Sequence, residues 1–184
     1  MDLIPTAIPA VVRVVAPRFG DDRGFFSETF RSEWFPGIDF VQDNHSSSAK
    51  AGTVRGLHFQ APPTAQDKLV RVSRGAILDV AVDIRVGSPT YGRHVVVPLS
   101  ADNWEQLLVP KGFAHGFVTT EPDTEVLYKV SDYYSSEDDR GILWSDPDLG
   151  IDWGVAPEAA TLSDHDAANP PFADLPEYFT FEGA

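Results

Sequence analysis

Leu78, Val80, Val82 and Ile84 alternate with Asp79, Ala81, Asp83 and Arg85. A period of two marks a half-buried strand with one apolar and one functionalised face. Shorter stretches of strand character recur at residues 11–15, 54–60, 68–73, 94–99, 106–109, 113–119 and 124–130. Turn signals separate them: Pro62-Pro63, Arg74-Gly75, Gly87-Ser88-Pro89, Lys111-Gly112 and Glu121-Pro122-Asp123. Only residues 30–35 and 101–105 read as short helical turns. Many short strands at this spacing predict an all-β sandwich or small barrel. The last thirty residues hold Pro157, Pro170, Pro171 and Pro176 and predict an irregular wrapping tail with one or two helical turns. No linker, repeat or low-complexity tract interrupts residues 1–184, so a single domain is expected.

Composition narrows the function classes. Hydrophobic residues make up 42% of the 184, enough for a globular core. A net charge of −14 opposes binding to nucleic acid or to an anionic membrane. It leaves room for a phosphorylated small molecule, because Arg55, Lys68, Arg71 and Arg74 fall within twenty residues. No apolar run approaches membrane-spanning length, and Met1-Asp2-Leu3-Ile4-Pro5-Thr6 has no signal-peptide pattern. The absence of cysteine excludes disulfides and thiolate metal sites and fits a cytoplasmic compartment.

Candidate chemistry concentrates in Arg55-Gly56-Leu57-His58-Phe59-Gln60 and Gln66-Asp67-Lys68-Leu69-Val70. A base that titrates near neutrality beside fixed positive charge suits removal of a proton next to a carbonyl. Alternation puts His58 on one face of its strand and His115 between Phe113 and Phe117 on a face of another. Lys68 shares a face with Val70 and Val72, and Asp79 and Asp83 are its obvious partners. Tyr128, between Val126 and Val130, is a candidate acid for the opposite side of a planar carbanion. A barrel metal site calls for two histidines at alternating spacing plus a carboxylate. The positions two beyond His58 and His115 are Gln60 and Phe117, so no metal is expected. There is no nucleophile elbow, dinucleotide fingerprint or P-loop, and Ser46-Ser47-Ser48 reads as a solvated turn.

These motifs, in order and spacing, resemble the dTDP-4-dehydrorhamnose 3,5-epimerase family of cupins. The resemblance runs from Arg18-Phe19-Gly20-Asp21-Asp22-Arg23-Gly24-Phe25-Phe26-Ser27-Glu28 through Gln42-Asp43-Asn44-His45-Ser46 and the two stretches above to Leu162-Ser163-Asp164-His165-Asp166. It implies a cupin jelly roll that needs no cofactor and acts on a dTDP-linked keto-sugar. His58 would be the general base oriented by Asp166, Tyr128 the acid, and Lys68 the cation that holds the enolate. Arg55, Asp79, His115 and Tyr134 would line the pocket. Arg23, Phe26, Glu28, Gln42 and Asn44 would meet the nucleotide-sugar, with the N-terminal ones reaching the partner's site in a strand-exchanged homodimer. A single-carbon epimerase and a non-catalytic sugar-binding cupin are the alternatives. Strict alternation sets Arg55 opposite to His58, so Gly56 is expected to mark a bulge. Where the family usually has lysine before the tail aspartate, this chain has His165, which leaves Asp164 and Asp166 both open as partner to His58.

Overall fold

The computed structural model describes residues 1–183. Its strands are β1 (Asp2–Pro5), β2 (Val12–Val15), β3 (Phe19–Asp21), β4 (Gly24–Phe26), β5 (Gln42–Ser48), β6 (Val54–Gln60), β7 (Lys68–Arg74) and β8 (Ala76–Asp83). There follow β9 (Arg85–Val86), β10 (His94–Ser100), β11 (Glu105–Val109), β12 (Phe113–Thr119), β13 (Thr124–Val130), β14 (Asp139–Gly141) and β15 (Phe179–Thr180). Two antiparallel sheets form a jelly-roll sandwich, one ordered β1-β2-β11-β7-β13-β5 and the other β10-β8-β12-β6-β14. Val70, Val72, Leu107 and Val126 of the first sheet meet Ile77, Ala81, Leu99, Phe113 and Phe117 of the second. This is the inner core.

Both outer faces are also covered. Leu57, Phe59, Val80, Val82 and Val118 lie under Ile142, Trp144, Leu149 and Trp153 of the tail. On the other side Val14 and Leu69 lie under Phe35, with Phe30, Trp34 and Phe40 beside it. This explains why β12 is buried at every position. It also corrects the reading of β8 as half-buried: its apolar face is capped by the tail, and its polar face carries Asp79 and Asp83 at 0% exposure.

Two local expectations change. Residues 101–105 form a hydrogen-bonded turn rather than a helical one, because Trp104 N donates back to Ser100 O and Glu105 already belongs to β11. Ser46-Ser47-Ser48 is the end of β5, paired with β13 from Gln42↔Val130 to Ser48↔Thr124. Cross-strand pairing with β13 overrides the weak strand preference of these polar residues. The tail wraps as expected, with single turns at Pro157–Ala159 and Phe172–Asp174 and one helix, α1 (Asp164–Ala167). Among the described residues no helix is long and apolar enough to cross a membrane.

Candidate active site

The site lies between the sheets, where β6 and β12 of one face β7 and β13 of the other. The β6–β12 register is His115↔His58 and then Phe117↔Arg55, two steps on β12 against three on β6. That extra residue is the expected bulge at Gly56, and it turns Arg55 onto the same side as His58. Gly56 has φ +124°, and a Cβ there would stand 2.6 Å from Gly116 Cα. The bulge therefore requires glycine.

A cavity of about 280 Å³ results, lined by Arg55, His58, Lys68, His115, Tyr128 and Asp166 among others. An adjoining recess of about 160 Å³ shares His58, Lys68 and Tyr128 and adds Gln42, Asn44, Tyr134 and Asp139. A roomier groove of about 540 Å³ between β1 and β10 holds Arg13, His94 and Glu105. There Arg13 and Glu105 are tied to each other at 2.6 Å.

His58 Nε2 meets Asp166 Oδ1 in a short hydrogen bond. Ser163 caps α1 and accepts from Asp166 N at 3.1 Å, while its hydroxyl donates to Asp166 Oδ2 at 2.9 Å. Asp166 is buried and Asp164 exposed, which decides between them. Burial pushes the Asp166 carboxyl up, but hydrogen bonds from His58 and Ser163 and the charge of His165 bring it below the ordinary value. The carboxylate therefore stays ionised and fixes the ring. Nδ1 is left facing away from this bond, with no hydrogen-bond partner among the described residues.

Lys68 Nζ donates to His58 O at 3.4 Å. Its expected partners are engaged elsewhere: Asp83 holds Arg85 at 2.7 Å and Asp79 holds His115 at 2.6 Å. Burial lowers the Lys68 pKa from 10.5 to about 8, while Asp139 and Asp79 pull it back up. Tyr128 sits on β13, in the sheet that faces the one holding β6, so the tyrosine and His58 belong to opposite walls. Burial raises its hydroxyl above the ordinary value, with Arg55 opposing and Asp139 adding to the rise. A neutral phenol is thus available as a proton donor at neutral pH.

The other predicted residues divide. Arg55 stands exposed at the mouth, donating to Ser48 Oγ at 3.4 Å and Ser47 O at 3.2 Å. Asp79 does not line the cavity: it bonds His115 from behind, and its Oδ2 has no partner among the described residues. Gln42 Nε2 donates to Asn44 Oδ1 at 2.9 Å, and Tyr134 OH donates to Asp139 Oδ2 at 3.3 Å. Arg23, Phe26 and Glu28 lie away from the cavity of their own chain, on or beside the exposed β3–β4 hairpin. Arg23 is bonded to Asp21 and Glu28 to Arg31.

Sequence reading missed Asp139, Ser46 and Ser163. Asp139 falls in a three-residue strand with no periodicity, and Ser46 was absorbed into a presumed turn. The Ser-x-x-Asp spacing of 163–166 was a legible cap signal. The positions two beyond His58 and His115, Gln60 and Phe117, are not the donors that gather here. The side chains that do cluster are His58, His165 and Asp166, with one donor atom of each within 4.8 Å of the others.

A jelly roll that sets a carboxylate-backed histidine on one wall of a cavity and a tyrosine and a lysine on the other has the layout of an acid–base site of the cupin class. The family model for dTDP-4-dehydrorhamnose 3,5-epimerase matches residues 5–174. The chain is 54% identical over 179 residues to the dTDP-4-dehydrorhamnose 3,5-epimerase of Sinorhizobium fredii, covering 94% of this chain and 90% of that one. The solved Legionella pneumophila epimerase, in complex with dTDP-4-keto-L-rhamnose, superposes with TM-score 0.94 at 40% identity, covering 99% of both chains. A 3'-monoepimerase from Streptomyces bikiniensis, in complex with dTDP-quinovose, superposes with TM-score 0.84 at 33% identity, covering 92% of this chain and 87% of that one. The chain belongs to the dTDP-4-dehydrorhamnose 3,5-epimerase family.

Proposed function

We propose that this protein inverts C5 and C3 of dTDP-4-keto-6-deoxy-D-glucose, giving dTDP-4-keto-L-rhamnose for dTDP-L-rhamnose synthesis. The observation that carries the reading is the base and the acid on opposite walls of one cavity, His58 on β6 and Tyr128 on β13. His58, held by Asp166, removes the proton beside the C4 ketone. The electron pair moves onto the C4 oxygen, where the Lys68 ammonium stabilises the enolate; a fixed donor at a developing oxyanion contributes about 3–4 kcal/mol. Tyr128 returns a proton to the other face of the planar carbon; once His58 has released its proton to solvent and the Tyr128 phenolate has regained one, repetition at the second carbon completes the product.

Arg55 at the mouth suits the diphosphate. Gln42, Asn44, His115 and Tyr134 surround the remaining sugar and base, and Asp79 acts through His115. The functional unit in this reading is a cytoplasmic homodimer in which Arg23, Phe26 and Glu28 reach the partner's cavity. The exposed apolar N-terminus supports that part, with Phe19 62% and Phe26 70% accessible.

Proton NMR of the 4-keto-sugar nucleotide with enzyme in D₂O tests the reading. Deuterium at both C3 and C5 is the expected result. Entry at one carbon would establish the single-carbon alternative, which the monoepimerase relative keeps in view because the fold is common to both. No exchange would sink epimerisation of this substrate. His58→Ala should abolish exchange at both carbons, whereas Tyr128→Phe should retain some exchange yet fail in net inversion.

A further inference from the structure

His165 is exposed on α1 and its ring lies 5.8 Å from that of His58. One donor atom from each of His58, His165 and Asp166 falls within 4.8 Å of the other two. We propose that these three side chains form a site for one divalent transition-metal ion of the Zn²⁺ kind, and that filling it turns the epimerase off. The second half rests on the function proposed above; the first does not.

Two imidazoles and one carboxylate are the donor set that borderline metals favour, and a three-ligand site leaves a position for water. The set is supported from behind. Ser163 Oγ holds Asp166 Oδ2 at 2.9 Å, which aims Oδ1 at His58 and leaves it the ligating oxygen. Asp166 is buried, so it is a fixed ligand, while exposed His165 is free to close on the ion from the solvent side. Among the described residues His45, His94 and His115 join no such trio: His115 is committed to Asp79 at 2.6 Å, and His45 meets a single carboxylate, Glu125, at 3.3 Å.

Occupancy and catalysis exclude one another. The ion replaces the proton between His58 Nε2 and Asp166 Oδ1, so the ring loses the hydrogen bond that orients it in the cavity. The ion's charge also stands beside the positive charge that the ring takes up with a substrate proton, and the two repel. The metal-free protein is therefore the active form, and the metal is an inhibitor.

The test uses the full chain stripped with EDTA. Zn²⁺ titration by calorimetry and Co²⁺ titration by visible absorption read binding without turnover. One ion per chain is expected, with an intensified Co²⁺ band and a deuterium-exchange rate that Zn²⁺ abolishes and EDTA restores. Changes in an outer-shell partner cost about 10–100-fold in affinity. Ser163→Ala should weaken Zn²⁺ within that range and His165→Gln by more, with circular dichroism confirming the fold. No heat and no Co²⁺ band in the wild-type protein would overturn the site, as would affinity unchanged in His165→Gln. Binding that leaves the exchange rate untouched would overturn the inhibition.

Discussion

Lys68 carries two opposite dependences on pH, and they separate its cost in the fold from its use in the reaction. Burial holds its pKa near 8, against 10.5 for an ordinary lysine. Below pH 8 the ammonium is charged in both folded and unfolded chains, and the fold bears the desolvation. Between pH 8 and 10.5 the unfolded chain binds the proton that the native one has released, so stability rises with pH. The gain is bounded at about 3 kcal/mol. In the proposed reaction, enolate stabilisation needs the charged form and would be lost over the same window. Exchange at C5 should therefore fall above pH 8 while the urea midpoint, relative to Lys68→Met, rises. Lys68→Met itself should lose about 10²–10³ in rate. A flat Lys68-dependent difference in midpoint between pH 7.5 and 10.5 would show that the ammonium is better solvated than its surroundings indicate.

At the scale of elements, the β6 bulge is the feature on which the site depends. A side chain at Gly56 meets backbone at 2.6 Å and 2.8 Å, from Gly116 Cα and His115 O, and must also adopt φ +124°. Gly56→Ala should cost about 3 kcal/mol or more by urea denaturation. Gly37→Ala, at φ +88° with open space around it, should cost about 1 kcal/mol. Equal losses would mean that conformation alone, without the close approach, sets the penalty. The bulge also shows how far sequence reading reaches. β6, β12 and β13 were legible to the residue, because both their faces are apolar or carry chemistry at strand spacing. Gly56 was legible as a conflict between Arg55 and His58 that only an extra residue resolves. β5 was not, because Gln42–Ser48 is polar throughout and is a strand only by pairing with β13. Asp166 could be named through the family resemblance. The approach of His165 to His58 could not, since it depends on how the tail crosses β6.

On the scale of the molecule, one chain leaves large apolar side chains uncovered along its N-terminal segment. β1 is exposed at every position, with Leu3 48% and Ile4 39% accessible, and Phe19, Phe25 and Phe26 stand out on the β3–β4 hairpin. The hairpin is anchored at its base, where Phe25 packs edge-on against Trp104 at 4.8 Å and Arg18 covers the Phe25 ring at 4.1 Å. Phe26 is held by neither and points away from its own core. An isologous dimer would cover the segment and carry Arg23, Phe26 and Glu28 toward the partner's cavity. Complementation separates that arrangement from action within one chain. Arg23→Ala and His58→Ala subunits, co-expressed with different tags and purified through both, give heterodimers carrying one lesion each. If Arg23 serves the partner's site, both lesions fall in the same cavity and the other cavity is intact. Such heterodimers should run at about half the wild-type rate per dimer, although each homodimer is impaired. If Arg23 serves its own site, each cavity carries one lesion and the heterodimer stays as slow as its parents. Sedimentation of Phe26→Asp supplies the physical counterpart: charge at the most exposed phenylalanine should shift the dimer toward monomer, and an unchanged sedimentation coefficient would place the interface elsewhere.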